Sequence, residues 1–257
     1  MHLTVLGSGC SVPSARRSGS GYFLDTSGGK VLLDCSPSAV QKMADYQLGW
    51  AELDAIWISH FHLDHVGGLA PFLFSLKHAP QTEKRTRSLT IFGPAGFQDL
   101  LAAFDAAGNY RLFEQRFPVT VVEVLDLETF AIVPGVEAVA LKTPHTDDSH
   151  ALHIRDGGST LVFTSDTGME PALASIANDV DLLLLECSFV RNKPVKKHLE
   201  LAEAMHLIRK ARPKRAMLTH LYPEWDDVNF ASETAAFDPP CEVIMAEDGL
   251  KLNIPNL

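Results

Sequence analysis

At 257 residues and 46% hydrophobic, the chain can bury a substantial core within the size of one large α/β unit, so a single domain over residues 1–257 is expected. A formal charge of −10 disfavours broad attraction to long nucleic acid, because phosphate contacts need Lys and Arg. The longest apolar run, around Leu182-Leu183-Leu184-Leu185, is far below the roughly 18 residues of a membrane span, and Met1-His2-Leu3-Thr4 opens without a basic or long apolar segment, so a cytoplasmic protein away from membranes is the default expectation.

Strand-like segments near residues 2–6, 21–25 and 30–34 come first, the last two joined by Gly28-Gly29, which reads as a hairpin turn. Gly7 and Gly9 form no phosphate loop, since no Gly-Lys-Ser/Thr follows, and read as a tight turn. After Ser36-Pro37, a helix carries Val40, Met43, Ala44 and Leu48 on one face. The apolar run Ala55-Ile56-Trp57-Ile58 leads into His60-Phe61-His62-Leu63-Asp64-His65, and Leu69, Phe72, Leu73 and Leu76 then make a second helical stripe. Lys84, Arg85 and Arg87, in the polar connector from Lys77 to Ser88, read as a solvated loop.

Phe97, Leu100, Leu101 and Phe104 make a third stripe between Gly93-Pro94 and Gly108. Short strands follow at about 119–124, 130–133, 136–142, 149–155 and 160–164, with others at 181–186, 215–218 and 241–245. A fourth stripe, Leu201, Ala204, Met205 and Ile208, lies between the last three. Cys10, Cys35, Cys187 and Cys241 contain no Cys-x-x-Cys pair and read as free thiols.

Three histidines and an aspartate within six residues point to metal. Imidazole nitrogens and carboxylates suit a borderline-soft divalent cation, and His60 and His62, at alternate positions of an extended segment, share one ion. Asp64 and His65, where the chain turns into a helix, face a second. Four ligands do not complete two shells, so further His or Asp residues are expected at later strand ends. His145 after the 136–141 run, Asp166 after Leu161-Val162-Phe163 and His220 after Ala216-Met217-Leu218-Thr219 answer that expectation. Zinc, manganese and iron all accept this donor set, zinc being the first expectation.

The order His-x-His-x-Asp-His, lone His, Asp, final His resembles the metallo-β-lactamase fold superfamily along nearly the whole chain. That resemblance implies an α/β fold of the αββα four-layer sandwich type and assigns His60, His62 and His145 to one ion, Asp64, His65 and His220 to a second, and Asp166 as bridge. Thr4-Val5-Leu6-Gly7-Ser8-Gly9 and Leu32-Leu33-Asp34-Cys35 look like the ribonuclease Z and small-phosphodiesterase branch, and a homodimer is in keeping with it.

Two bridged ions make a hydroxide available near neutral pH and clamp attacking and departing oxygens, which suits phosphodiester hydrolysis. The leaving alkoxide then needs an acid. By resemblance to ribonuclease Z-like enzymes this is His198, oriented by Glu186 at the end of the 182–186 run, with Asp64 counted beside them among the catalytic groups. Tyr222 and Trp225, just past His220, are candidates to line the pocket and stack on a base or aromatic leaving group, with packing under that loop the alternative.

Ribonuclease Z enzymes carry an RNA-gripping arm between the lone His and the bridging Asp, but here the 20 residues separating His145 from Asp166 hold only a hairpin, with Asp156-Gly157-Gly158 at its tip. The expectation is therefore a hydrolase of small or cyclic phosphodiesters. The alternatives are a transfer-RNA 3′-processing endonuclease without the arm, and a lactonase or β-lactamase-type hydrolase. A flavodiiron-type redox protein is disfavoured, since the motif is not shifted toward carboxylates and no flavin domain is evident; a metal-bearing binding module is disfavoured because no ligand is lost.

Overall fold

The strand segments are short and mostly buried, and in a computed structural model describing residues 1–255 they assemble into two seven-stranded sheets. The first half runs β1 (His2–Gly7), β2 (Gly21–Thr26), β3 (Gly29–Leu33), α1 (Ala39–Asp45), β4 (Ala55–Trp57), α2 (Leu63–Val66), α3 (Leu69–His78), β5 (Leu89–Gly93), α4 (Phe97–Gly108) and β6 (Val119–Glu123). The second half runs β7 (Thr129–Val133), β8 (Val136–Lys142), β9 (His150–Asp156), β10 (Ser159–Phe163), α5 (Pro171–Ile176), β11 (Leu182–Glu186), α6 (Leu201–Ala211), β12 (Arg215–Thr219), α7 (Phe230–Ala235), β13 (Glu242–Met245) and β14 (Lys251–Asn253).

Strand order is β14-β1-β2-β3-β4-β5-β6 in one sheet and β13-β12-β11-β10-β9-β8-β7 in the other. Each sheet starts as antiparallel hairpins and continues as parallel strands, β3 to β6 and β10 to β13. Each of these parallel links needs a crossover, and the crossovers carry α1 to α7. β14 returns to pair with β1, placing Leu252 opposite Leu3.

Side-chain alternation divides the core into three layers. Leu3, Val5, Val31, Leu33 and Trp57 of the first sheet meet Ala138, Leu152, Leu182, Leu184 and Met217 of the second. On the outer face of the first sheet, Leu32 and Ile56 pack with Met43, Phe72, Leu76 and Phe97 of the helices. On that of the second, Leu183, Leu185 and Leu218 pack with Leu173, Met205 and Ile208. β11 is buried on both faces, which is why its sequence is an unbroken apolar run. The result is the αββα sandwich.

Gly7 and Gly9 do more than turn the chain. A Cβ on Gly7 would lie 1.9 Å from the Gly19 carbonyl oxygen and one on Gly9 2.8 Å from the Arg17 Cβ, so glycine lets the 8–20 loop fold back against β1. The short elements β5, β14, α5 and α7 lie outside the expected segments, each having six residues or fewer. In the basic connector Lys84 and Arg87 are exposed as expected, but Arg85 is not solvated: its guanidinium donates to the carbonyls of Ala51, Leu53 and Ser88 and stacks 4.1 Å from the Phe117 ring centroid. No helix among the described residues is long and apolar enough to cross a membrane.

Candidate metal centre

β3, β4, β10, β11 and β12 end at one rim, and the polar residues just past those ends meet there. Three of them, Asp34, Ser165 and His220, have φ of 58°, 51° and 55°. A left-handed turn immediately after a strand costs a non-glycine residue roughly 1–2 kcal/mol, and here it swings each chain off its strand at the rim.

Three overlapping groups of potential ligand atoms result: His60, His62 and His145 with Asp166, Asp64 with His65 and His220, and His198 with Asp166 and His220. Asp166 faces the first two. Its Oδ2 lies 3.8 Å from His60 Nε2 and 3.6 Å from His145 Nε2, while Oδ1 lies 3.3 Å from both His65 Nε2 and His220 Nε2. Asp64 Oδ2 is 3.6 Å from His65 Nε2 and 3.4 Å from His220 Nε2, and His62 Nδ1 lies 3.1 Å from His145 Nε2.

Metal fit can be tested on the donors themselves. His60 Nε2, His65 Nε2, His220 Nε2 and Asp166 Oδ1 are buried without a hydrogen-bond partner, a costly state for four converging polar atoms unless a cation satisfies them. The charge pattern agrees. Burial pulls His60 well below the ordinary histidine value, helped by His65, and pulls His145 down as well. Burial opposes the charge on His65 and His220 too, but Asp166 outweighs it, aided by Asp34 at His65 and Asp64 at His220, so both are raised. Burial also opposes ionisation of Asp166, yet His220 and His65 hold it well below the usual carboxylate range. Without metal, protons on His65 and His220 supply the positive charge this cluster demands.

Glu186 ends β11 almost fully buried and accepts the N–H groups of Thr167, Ser188 and Leu199. His198 Nδ1 donates to its Oε1 at 2.8 Å. The His198 ring stacks on His220 with centroids 5.2 Å apart and lies 4.7 Å from His145. It does not cap α6: Glu200 holds that position, its N–H donating to Glu203.

Tyr222 is half-buried, 4.6 Å from Phe189 and 6.2 Å from both His198 and His220. Trp225 requires a correction. Its ring is 1% exposed in the outer core and its Nε1 donates to the Cys187 carbonyl, because the 223–227 turn folds the indole under the loop, leaving no free face for a base. Asn229, without an evident part in the sequence, caps α7 by accepting the Ser232 N–H.

Several residues of the site carried no role in the sequence. Asp34 accepts from His65 Nδ1 at 2.6 Å, Asp148 accepts the Phe61 N–H inside the histidine motif, and Ser59 and Ser188 touch ligand imidazoles. Asp34 follows a short apolar strand as the candidate ligands do, a usable signal; the serines offered none. A cleft of about 790 Å³, lined in part by Ser11, Val12, Ser38, His62 and Leu63, opens onto Asp64. Cys10 also lines it, and burial pushes that thiol up to about 11.

The sequence model of the family described as anti-Pycsar protein Apyc1 matches residues 1–238. The probable metallo-hydrolase YhfI of Bacillus subtilis is 27% identical over 86% of this chain and 87% of its own length. Its crystal structure, described as a metallo-β-lactamase fold protein, superposes with a TM-score of 0.81 at 22% identity, covering 98% of each chain. Ribonuclease Z of Methanosarcina acetivorans is 26% identical over 99% of this chain and 98% of its own, and the short form of human tRNase Z superposes with a TM-score of 0.79 at 21% identity over 99% and 100%.

Proposed function

The chain belongs to the family described as anti-Pycsar protein Apyc1, and on that premise we propose that this metal-dependent hydrolase cleaves small or cyclic phosphodiesters. His60, His62 and His145 would hold one divalent ion and Asp64, His65 and His220 a second, with Asp166 between the two groups. Zinc is the first candidate, manganese and iron the others. When bound, such ions supply Lewis-acid polarisation of a phosphoryl oxygen and lower the pKa of water.

The observation that carries the phosphodiesterase reading is the place of His198. Its Nδ1 is held by Glu186 while its ring lies against His220 and His145, so Nε2 is free to present a proton beside both ligand groups. A departing alkoxide needs that proton, whether it leaves as a separate alcohol or stays tethered as in a cyclic diester. Tyr222, at the same rim, is in place to contact the leaving group. Substrate size follows from the missing arm: β9 and β10 are the only strands between His145 and Asp166. The alignment to the Methanosarcina ribonuclease Z spans 307 positions against 257 residues here, so about 50 of its positions have no counterpart in this chain, whereas the match to YhfI spans 227.

The test is turnover of bis(p-nitrophenyl) phosphate and a cyclic mononucleotide by zinc- or manganese-loaded protein, beside His198→Ala, with a lactone, a β-lactam and a transfer-RNA precursor in parallel. His198→Ala should lower diester turnover about 10²- to 10⁴-fold at unchanged metal content. Preferential cleavage of the precursor would favour the endonuclease reading. Lactone opening without diester turnover would sink the acid role of His198.

A further inference from the structure

Two buried carboxylates flank the site, Asp34 on the first sheet and Glu186 on the second, and each grips one imidazole directly: His65 Nδ1 at 2.6 Å and His198 Nδ1 at 2.8 Å. Each also accepts a hydrogen bond from one wholly buried serine. Ser59 Oγ donates to Asp34 Oδ2 at 3.0 Å, and Ser188 Oγ donates to Glu186 Oε2 at 2.8 Å. A hydroxyl has a single proton, so once it is given to a carboxylate, every other contact of that oxygen must be one it accepts. Ser59 Oγ lies 3.1 Å from His60 Nδ1, and Ser188 Oγ lies 3.0 Å from His220 Nδ1. Both nitrogens therefore carry hydrogen, which leaves each Nε2, buried and otherwise unpartnered, as the ring atom that would face an ion.

We infer that Ser59 and Ser188 are positioning residues that extend each carboxylate to a second imidazole, so that Asp34 orients His60 as well as His65, and Glu186 orients the ligand His220 as well as the acid His198. The inference rests on the two-ion reading above. Ser165 fits it: its hydroxyl donates to Ser59 Oγ at 2.6 Å, filling that oxygen's second lone pair. With both serines at 0% exposure, no bulk water stands ready to replace a deleted hydroxyl, and the imidazole left behind loses its partner. Glu186 thereby ties one ion position to the proton donor, and Asp34 ties the two ion positions together.

Zinc titrated calorimetrically into chelator-treated protein reads this directly. Wild type should bind two ions. Ser188→Ala should weaken only the ion assigned to Asp64, His65 and His220, by about 10- to 100-fold, and Ser59→Ala only the ion assigned to His60, His62 and His145, with Ser188→Thr and Ser59→Thr restoring each. Wild-type affinities in both alanine variants, or equal weakening of both ions in each, would overturn the relay. Fewer than two ions in wild type would instead bring down the two-ion reading and the relay with it. Should the variants not fold, nitrogen NMR of the zinc-loaded wild type decides: His60 and His220 should show Nδ1–H protons protected from exchange with water, and a ligating Nδ1 or a freely exchanging proton at either position refutes the inference.

Discussion

Individual side chains carry the sharpest consequences. With its indole in the outer core and its N–H on the Cys187 carbonyl, Trp225 acts through packing. Trp225→Ala should cost about 3–5 kcal/mol by denaturant unfolding and change KM for aromatic and alkyl diesters alike; a loss confined to the aromatic substrate would return the ring to the pocket. Asp166 is the residue whose two oxygens serve different ligand groups, so Asp166→Ala should leave fewer than two bound ions by elemental analysis, and retention of both would remove it as the bridge. The histidines and aspartates of the centre were legible because their side-chain chemistry, order and positions past apolar runs are all local properties of sequence. Ser59 and Ser188 were not, since a serine's role depends on whichever groups the fold brings to its oxygen.

Elements were legible in proportion to their length. Helices α3, α4 and α6 each have ten residues or more and repeat an apolar stripe, whereas α5 and α7 have six and β14 three, too few for a period to declare itself. The basic connector before β5 shows how contact overrides composition. Arg85 pins the 51–53 turn and the start of β5 through carbonyls 32 to 34 residues away in sequence, plus Ser88 nearby. Arg85→Ala should destabilise by about 1–3 kcal/mol in thermal or denaturant melts while leaving diester turnover unchanged. An unaltered melt with reduced turnover would restore a substrate-binding role.

For the molecule as a whole, the charge cluster between the sheets predicts how stability depends on pH once metal is removed. His65 and His220 lie above the ordinary histidine value of 6.5, so their contribution is complete below it and is lost as pH rises through their folded values. His60 and His145 lie below it, and Asp166 and Asp64 below the ordinary carboxylate value of 3.8, so they favour folding less as pH falls. Chelated protein should therefore melt highest near pH 6.5 and lower on either side. Zinc-loaded protein should lack the alkaline decline, because the ions replace the protons; a decline shared by both forms would contradict this account.

The sequence by itself determined the αββα class, through the resemblance its ligand motif carries with strands and amphipathic helices of recognisable period in support, and the chemistry of the centre, through donors that suit a divalent cation. Tertiary structure alone decided that Trp225 faces inward, that Arg85 braces the first sheet, and that Asp34 and Glu186 reach second imidazoles through serines. Ser188 meets His220 across 32 residues and Tyr22 meets Thr219 across 197, and such meetings follow from how sheets stack and where strands end, which no local pattern records.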